Sequence, residues 1–126
     1  MTDHFKDVPD GLPGNDDSGA TSAWFVFAAL GLYPMAPGEA WYHISSPLFD
    51  RATLYLEPKF ADSKTFVIEA QGNSEANVYI QSATLNGKPL TQARIRHEDI
   101  VAGGKLVLVM GAAPSSWAAE GLCQKP

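Results

Sequence analysis

The sequence is short of most features that mark a specialised class of protein. It has one cysteine, Cys123, near a polar C-terminus. A lone thiol closes no internal disulfide and has no companion for a zinc knuckle, so it reports nothing about redox compartment. Basic residues are scarce as well. Nine Lys and Arg against fourteen Asp and Glu give a net charge of −5 and a pI near 5.0. Without a cationic face, neither nucleic acid nor an anionic membrane surface is expected as a partner. The most apolar run, Gly19 to Tyr33, is shorter than the ~20 residues a membrane-spanning helix needs. The opening "MTDHFKDVPDG" has neither the basic stretch nor the apolar core of a signal peptide. No internal repeat or low-complexity tract is visible, and "AGGKL" lacks the spacing and following helix of a phosphate-binding loop.

What is present fits an ordinary globular domain. The chain has 126 residues, 45% of them hydrophobic and 18% charged, enough to bury a core. Residues 1–18 are rich in Gly, Pro and Asp and read as an extended lead-in with an acidic turn. Residues 19–33 then become abruptly apolar. Ala20, Ala23, Ala28, Ala29, Leu30 and Leu32 favour helix, Ser18 or Asp17 suits the N-cap, and Gly31 followed by Pro34 supplies the stop. This predicts a helix over about residues 19–31. Trp24, Phe25, Phe27 and Leu30 point all around its cylinder, and a helix apolar on every side belongs inside something larger. The rest of the chain is too small to enclose it, so the segment is expected to pack on a partner or on further parts of a longer protein.

From residue 34 the pattern turns to period two. "WYHI", "RATLYLEP", "TFVIEAQG", "NVYIQSATL", "ARIRHEDI" and "KLVLVMG" read as short strands, with Asn86-Gly87 as a hairpin turn and Gly103-Gly104 as a joint. The predicted class is mainly β, an antiparallel sandwich over residues 34–114 preceded by one buried apolar helix, with 115–126 as a tail.

The stretch "GLPGNDDSGA" holds the densest acidic pair, Asp16-Asp17, at the mouth of the apolar segment. Spacing alone favours helix capping, where an acid accepts backbone N–H bonds at the positive end of the dipole, worth about 0.5–2 kcal/mol. A cap uses one acid. The other is left on a glycine-flanked turn, where it could act as general base on a water or bind a hard cation. Other polar residues read as structural. Asp62, Glu69, Glu98 and Asp99 look like solvated strand ends, and His43 and His97 have no second ligand at metal spacing. Trp41 and Tyr42 could stack on a sugar, but packing against the preceding helix is the simpler role. Ser45-Ser46 and Ser115-Ser116 have no activating base nearby in sequence.

The run Gly11-Leu12-Pro13-Gly14-Asn15-Asp16-Asp17-Ser18-Gly19 is followed by Ser22-Ala23-Trp24, by Ala29-Leu30-Gly31-Leu32-Tyr33-Pro34 and by Pro37-Gly38. Beyond these come "YHISSPLF", "NVYIQSATLNGKPL" and "HEDIVAGGKLVLVMG". Across residues 11–114 this resembles the C-terminal end of glycoside hydrolase family 92, the calcium-dependent exo-acting α-mannosidases. The resemblance implies an N-terminal β-sandwich joined to an (α/α)6 barrel, of which the apolar helix would be the last. It implies hydrolysis of terminal α-mannosides with inversion, and calcium as cofactor bound to mannose hydroxyls. It also implies Asp17 as general base, with Asp16 beside it in the catalytic turn and Asn15 and Gly14 at the substrate. No metal ligand is assigned. The general acid would lie upstream of these residues, because two adjacent acids on one turn cannot flank a glycosidic bond.

The implied partners are α-mannoside glycans and the remainder of the parent enzyme, in a bacterial protein exported to the periplasm or beyond. By itself the chain is expected to be inactive and to self-associate through residues 20–33. The alternative is a non-catalytic β-sandwich accessory or interaction module whose acids merely cap.

Overall fold

A chain reversal at Gly31 joins the helical and the strand-rich halves of the protein. A computed structural model of the chain describes residues 4–36, 38–60 and 65–119. Pro37, Asp62 and Cys123 lie outside the described residues. The apolar segment forms helix α1, Ala20–Leu30. Gly31 ends it in the left-handed region, φ 73°, and donates its N–H to the carbonyls of Phe27 and Ala28. Only glycine adopts this conformation without a Cβ penalty. A Cβ there would also lie 2.6 Å from the Ser45 carbonyl oxygen and 3.1 Å from the Pro47 Cβ.

The residues after Gly31 leave the helix at once. Leu32–Tyr33 form strand β1, so the apolar segment to residue 33 is not helical throughout. Strand β2, Trp41–Ile44, pairs antiparallel with β1, placing Leu32 opposite Ile44. The Ser45 N–H donates to the Gly31 carbonyl and the Leu48 N–H to that of Ala29, each at 2.9 Å. The C-terminal end of α1 is thus tied to the strand sheet by backbone bonds.

Four further strands follow: β3, Arg51–Tyr55; β4, Thr65–Gln71; β5, Tyr79–Leu85; and β6, Lys88–Pro89. Asn86 and Gly87 turn β5 into β6 with φ of 51° and 78°, as their sequence foretells. Strand β7, Arg94–Arg96, joins the edge of β2. The expected strand over "ARIRHEDI" stops there. The Asp99 carboxylate accepts the Arg96 N–H at 2.8 Å, and His97–Val101 become a short helix, α2. This local bond competes with strand extension. Strand β8, Gly104–Gly111, completes the set.

The strands form a three-stranded sheet, β1-β2-β7, and a five-stranded sheet in the order β3-β4-β8-β5-β6. All pairings are antiparallel except that of β4 with β8, which are parallel neighbours, Phe66 opposite Gly104 through Gln71 opposite Val109. The long connection through β5, β6, β7 and α2 returns the chain in the direction it left, as parallel pairing requires. Phe66, Ile68 and Ala70 of β4 alternate inward with Leu106, Leu108 and Met110 of β8. Leu32, Ile44 and Ile95 of the smaller sheet and Ile100 of α2 share the same core. The class is therefore mainly β, with two sheets facing one core. Trp117 packs against its edge and donates its indole N–H to the Leu90 carbonyl at 2.7 Å.

Helix α1 meets that core at its C-terminal end, through Leu30. Ala29 is its one buried residue, whereas Val26 is 58% and Trp24 40% exposed. Phe27 stacks on Tyr42 of β2 with ring centroids 6.1 Å apart, which accounts for one face. Phe5 covers another, its centroid 4.6 Å from that of Phe25 and 5.8 Å from that of Trp24. The lead-in is accordingly folded over rather than extended, with the Lys6 N–H bonded to the Gly11 carbonyl and the Gly11 N–H to that of Val8.

Because Gly31 fixes both the helix end and the tie to Ser45, Gly31→Ala should destabilise the chain by about 1–3 kcal/mol. Urea unfolding followed by far-ultraviolet dichroism measures it; an unmoved midpoint would show that the left-handed stop carries no such cost.

Candidate active site

The N-terminal end of α1 is built in an unusual way. A side-chain cap normally sits at the N-cap residue and bonds the second and third helical amides. Here that residue is Gly19, φ 76°, which has no side chain to offer. Neither Ser18 nor Asp17 takes the role expected of it. Residues Asp17–Gly19 instead form a tight 3-10 turn in which Ser18 adopts φ 55° and ψ 24°. The Gly19 N–H closes on the Asp16 carbonyl at 3.0 Å, and the Ala20 N–H on that of Asp17.

This fold-back brings the Asp16 carboxylate over the helix entrance. Its Oδ1 accepts the N–H of Thr21 at 2.7 Å and that of Ser22 at 3.0 Å. Its Oδ2 accepts the Ser22 hydroxyl at 2.5 Å. Thr21 and Ser22 are the second and third residues of α1, so Asp16 satisfies the donors an N-cap would take, from three positions further upstream. The Ser22 hydroxyl and amide, with the Thr21 amide, hold the Asp16 carboxyl below its ordinary range, against a smaller upward push from desolvation.

Asp17 has a different fate. Its backbone is fixed by the Ala20 bond, yet its side chain is exposed and makes no hydrogen bond or ion pair among the described residues. The two adjacent acids are thereby separated in role, one spent on structure and one free. Asn15 is exposed and accepts the Thr21 hydroxyl on its carbonyl at 3.3 Å. Gly14, φ 71°, lies on open surface with no atom within 4 Å of a hypothetical Cβ.

Among the described residues no group of three or more His, Cys, Asp or Glu side chains gathers to hold a metal ion. The turn offers the Asp17 carboxylate and the oxygens of Asn15, while Asp16 is directed at the helix. Calcium takes about six to eight oxygen ligands. The residues present do not make a calcium site by themselves.

Most of the remaining candidates make contacts within the chain. Tyr42 packs on α1 as expected, but Trp41 does not: Arg94 and Arg96 lie over its ring at 4.5 and 4.7 Å from the centroid. His97 shares a 3.2 Å hydrogen bond with the Tyr42 hydroxyl, and His43 is exposed on the small sheet. Glu69 bonds Lys105 at 2.6 Å, which with Gln71 holds its carboxyl below the ordinary range. Glu98 pairs with Arg96 at 3.0 Å. The hydroxyls of Ser46 and Ser115 donate to the carbonyls of Val78 and Ile80. Ser22 stands in the family-like motif but has no role assigned from sequence. Its place three residues into α1, within reach of an upstream acid, was the available signal.

The sequence matches the glycosyl hydrolase family 92 catalytic domain over residues 1–112. It is 42% identical over 113 residues to an uncharacterised secreted glycosidase of Arthroderma benhamiae, covering 90% of this chain and 14% of that protein. Among solved structures, it is 39% identical to a family 92 inverting mannosidase from Bacteroides thetaiotaomicron, with a TM-score of 0.79 over 90% of this chain and 15% of the other. It is 32% identical to a second α-mannosidase of that family and organism, solved in complex with mannoimidazole, with a TM-score of 0.84 over 98% and 16%. The chain belongs to glycosyl hydrolase family 92. It spans about one-seventh of the length of these relatives.

The lowered Asp16 value has a consequence for stability. A carboxyl whose folded value lies below its unfolded one contributes stability above the unfolded value and loses it as pH falls through the folded one. Asp16→Asn should therefore lower the urea midpoint at neutral pH and flatten the acid limb relative to wild type. Curves that run parallel down to the acid limit would count against the cap.

Proposed function

We propose that this chain is the C-terminal portion of an inverting exo-α-mannosidase that hydrolyses terminal α-mannosides of glycans. Asp17 is its general base, and the general acid comes from another part of the protein. The observation that carries this is a single unengaged carboxylate on a hydrogen-bonded turn, in a chain whose solved relatives include an inverting mannosidase and an α-mannosidase solved in complex with mannoimidazole.

Inversion needs two carboxyl groups about 6.5–9.5 Å apart on opposite faces of the sugar. Asp16 is occupied by three donors and sits beside Asp17 on one turn, so the pair cannot supply both roles. Asp17 can supply one. Its carboxylate takes a proton from water, the water oxygen bonds to the anomeric carbon from the face opposite the leaving group, and the glycosidic bond breaks. The leaving oxygen takes its proton from the acid supplied by another part of the protein. Asn15 and Gly14, on the open side of the turn, line the approach to the sugar. Calcium is the cofactor the family resemblance implies; this turn alone is too poor in oxygen ligands to hold it, and no step here depends on it.

The exposed surface of α1 suits the same reading. A helix with Val26 and Trp24 open to solvent calls for apolar neighbours, and in the intact enzyme these would be other helices of an (α/α)6 barrel.

In a polypeptide of full family length carrying this segment, Asp17→Asn should lower kcat on an aryl α-mannoside by about 10²–10⁴ with little change in KM. The 126-residue chain alone should release no product above a buffer blank. Full activity of the variant would remove Asp17 as the base, and turnover by the isolated chain would remove the need for a separate acid. The isolated chain should also associate through residues 20–33, and Val26→Glu should shift it toward monomer in multi-angle light scattering. A monomer at high concentration before any substitution would contradict the association.

A further inference from the structure

We infer that Asp16 and Ser22 are a latch that positions Asp17, so that Asp16 is a positioning residue rather than a second catalytic acid. The latch rests on the assignment of Asp17 as the base. Three observations carry it. First, the Asp16 carboxylate gathers the Thr21 and Ser22 amides and the Ser22 hydroxyl on its two oxygens, which spans the turn from one side to the other. Second, the residues enclosed by that span, Asp17–Gly19, include two successive left-handed positions. Ser18 is left-handed at φ 55°, which a residue with a Cβ resists, and Gly19 follows at φ 76°. Third, Asp17 has no side-chain tether of its own among the described residues, so its placement is inherited from the backbone on either side.

The physics divides the work between two neighbouring acids. A general base has to keep its lone pairs for the water it activates, and every bond that fixes its side chain competes with that proton. Fixing the backbone instead, through an adjacent residue, orients the base without weakening it. The amides at a helix N-terminus are the strongest local donors available to hold that adjacent residue, since nothing else in the helix uses them. The Ser22 hydroxyl adds a bond that the amides cannot replace. It engages the second oxygen and so fixes the rotation of the carboxylate about its own axis. Threonine at this position would keep that bond, whereas alanine would lose it.

The test uses a full-length family 92 polypeptide carrying this segment, with Ser22→Ala, Ser22→Thr and Asp16→Asn compared against wild type. Misplacement of a reacting group by about 1 Å costs on the order of 10²-fold. Ser22→Ala should accordingly lower kcat on an aryl α-mannoside by roughly tenfold to a hundredfold with KM nearly unchanged, and Ser22→Thr should restore most of it. Asp16→Asn should lower kcat similarly while leaving the basic and acidic limbs of the pH–rate profile where they were. A shift or loss of the limb that reports the base would identify Asp16 as a titrating catalytic group and overturn the proposal. Equal activity of Ser22→Ala and wild type would overturn it also, as would a failure of Ser22→Thr to differ from Ser22→Ala in enzyme that keeps its thermal midpoint. The base assignment fails separately: Asp17→Asn would then be active while Ser22→Ala still showed loss rescued by threonine.

Discussion

A helix with no polar face has to be covered on every side, and that constraint governs this chain. Among the described residues it is covered by Tyr42 of the small sheet, by Phe5 of the lead-in and, at Leu30, by the sandwich core. Its C-terminal end is tied to the sandwich: Gly31 turns the chain into β1, and backbone bonds from Ser45 and Leu48 fix the last turn. Its N-terminal end is closed locally by Asp16, and the acidic turn lies there.

That arrangement places the acidic turn at the end of α1, outside the β core. The rigid part is the sandwich, whose core from Phe66, Ile68, Leu106 and Leu108 is completely enclosed. The proposed general base sits on a turn of three residues at the N-terminal end of α1. Sites built on helices and strands hold their geometry better than sites on free loops, and here the loop borrows its rigidity from the helix it opens.

The adjacent acids illustrate how two chemically identical side chains acquire different work from a difference in surroundings. Asp16 is drawn toward unpaired amides and its charge is stabilised there. Asp17 faces away and stays available. Neither outcome depends on the side chain itself; it follows from a backbone that reverses between them and the helix. Under the assignment proposed above, Asp17 is the carboxylate that reacts and Asp16 the one that keeps it in place.

Much of this was legible in the residues. The apolar run from Ala20, the stop at Gly31, the alternating strands and the Asn86-Gly87 turn each obey local rules, because they depend on propensity and on backbone conformation within a few residues. The motif "GNDDSG" with "SAW" and "LGLYP" was enough to point to the family. Three things were settled only by tertiary structure. The parallel pairing of β4 with β8 brings together residues some forty apart in sequence, and no local pattern encodes that direction. The change from strand to helix at His97 turned on one carboxylate, Asp99, reaching back to an amide, a bond that strand periodicity does not register. Which acid caps α1 was decided by the fold-back of Ser18 and Gly19, which carries Asp16 past its two neighbours and leaves Asp17 outside. Sequence determines the kinds of groups that meet at this turn; the three-dimensional path of the backbone determines which of them remains free to react.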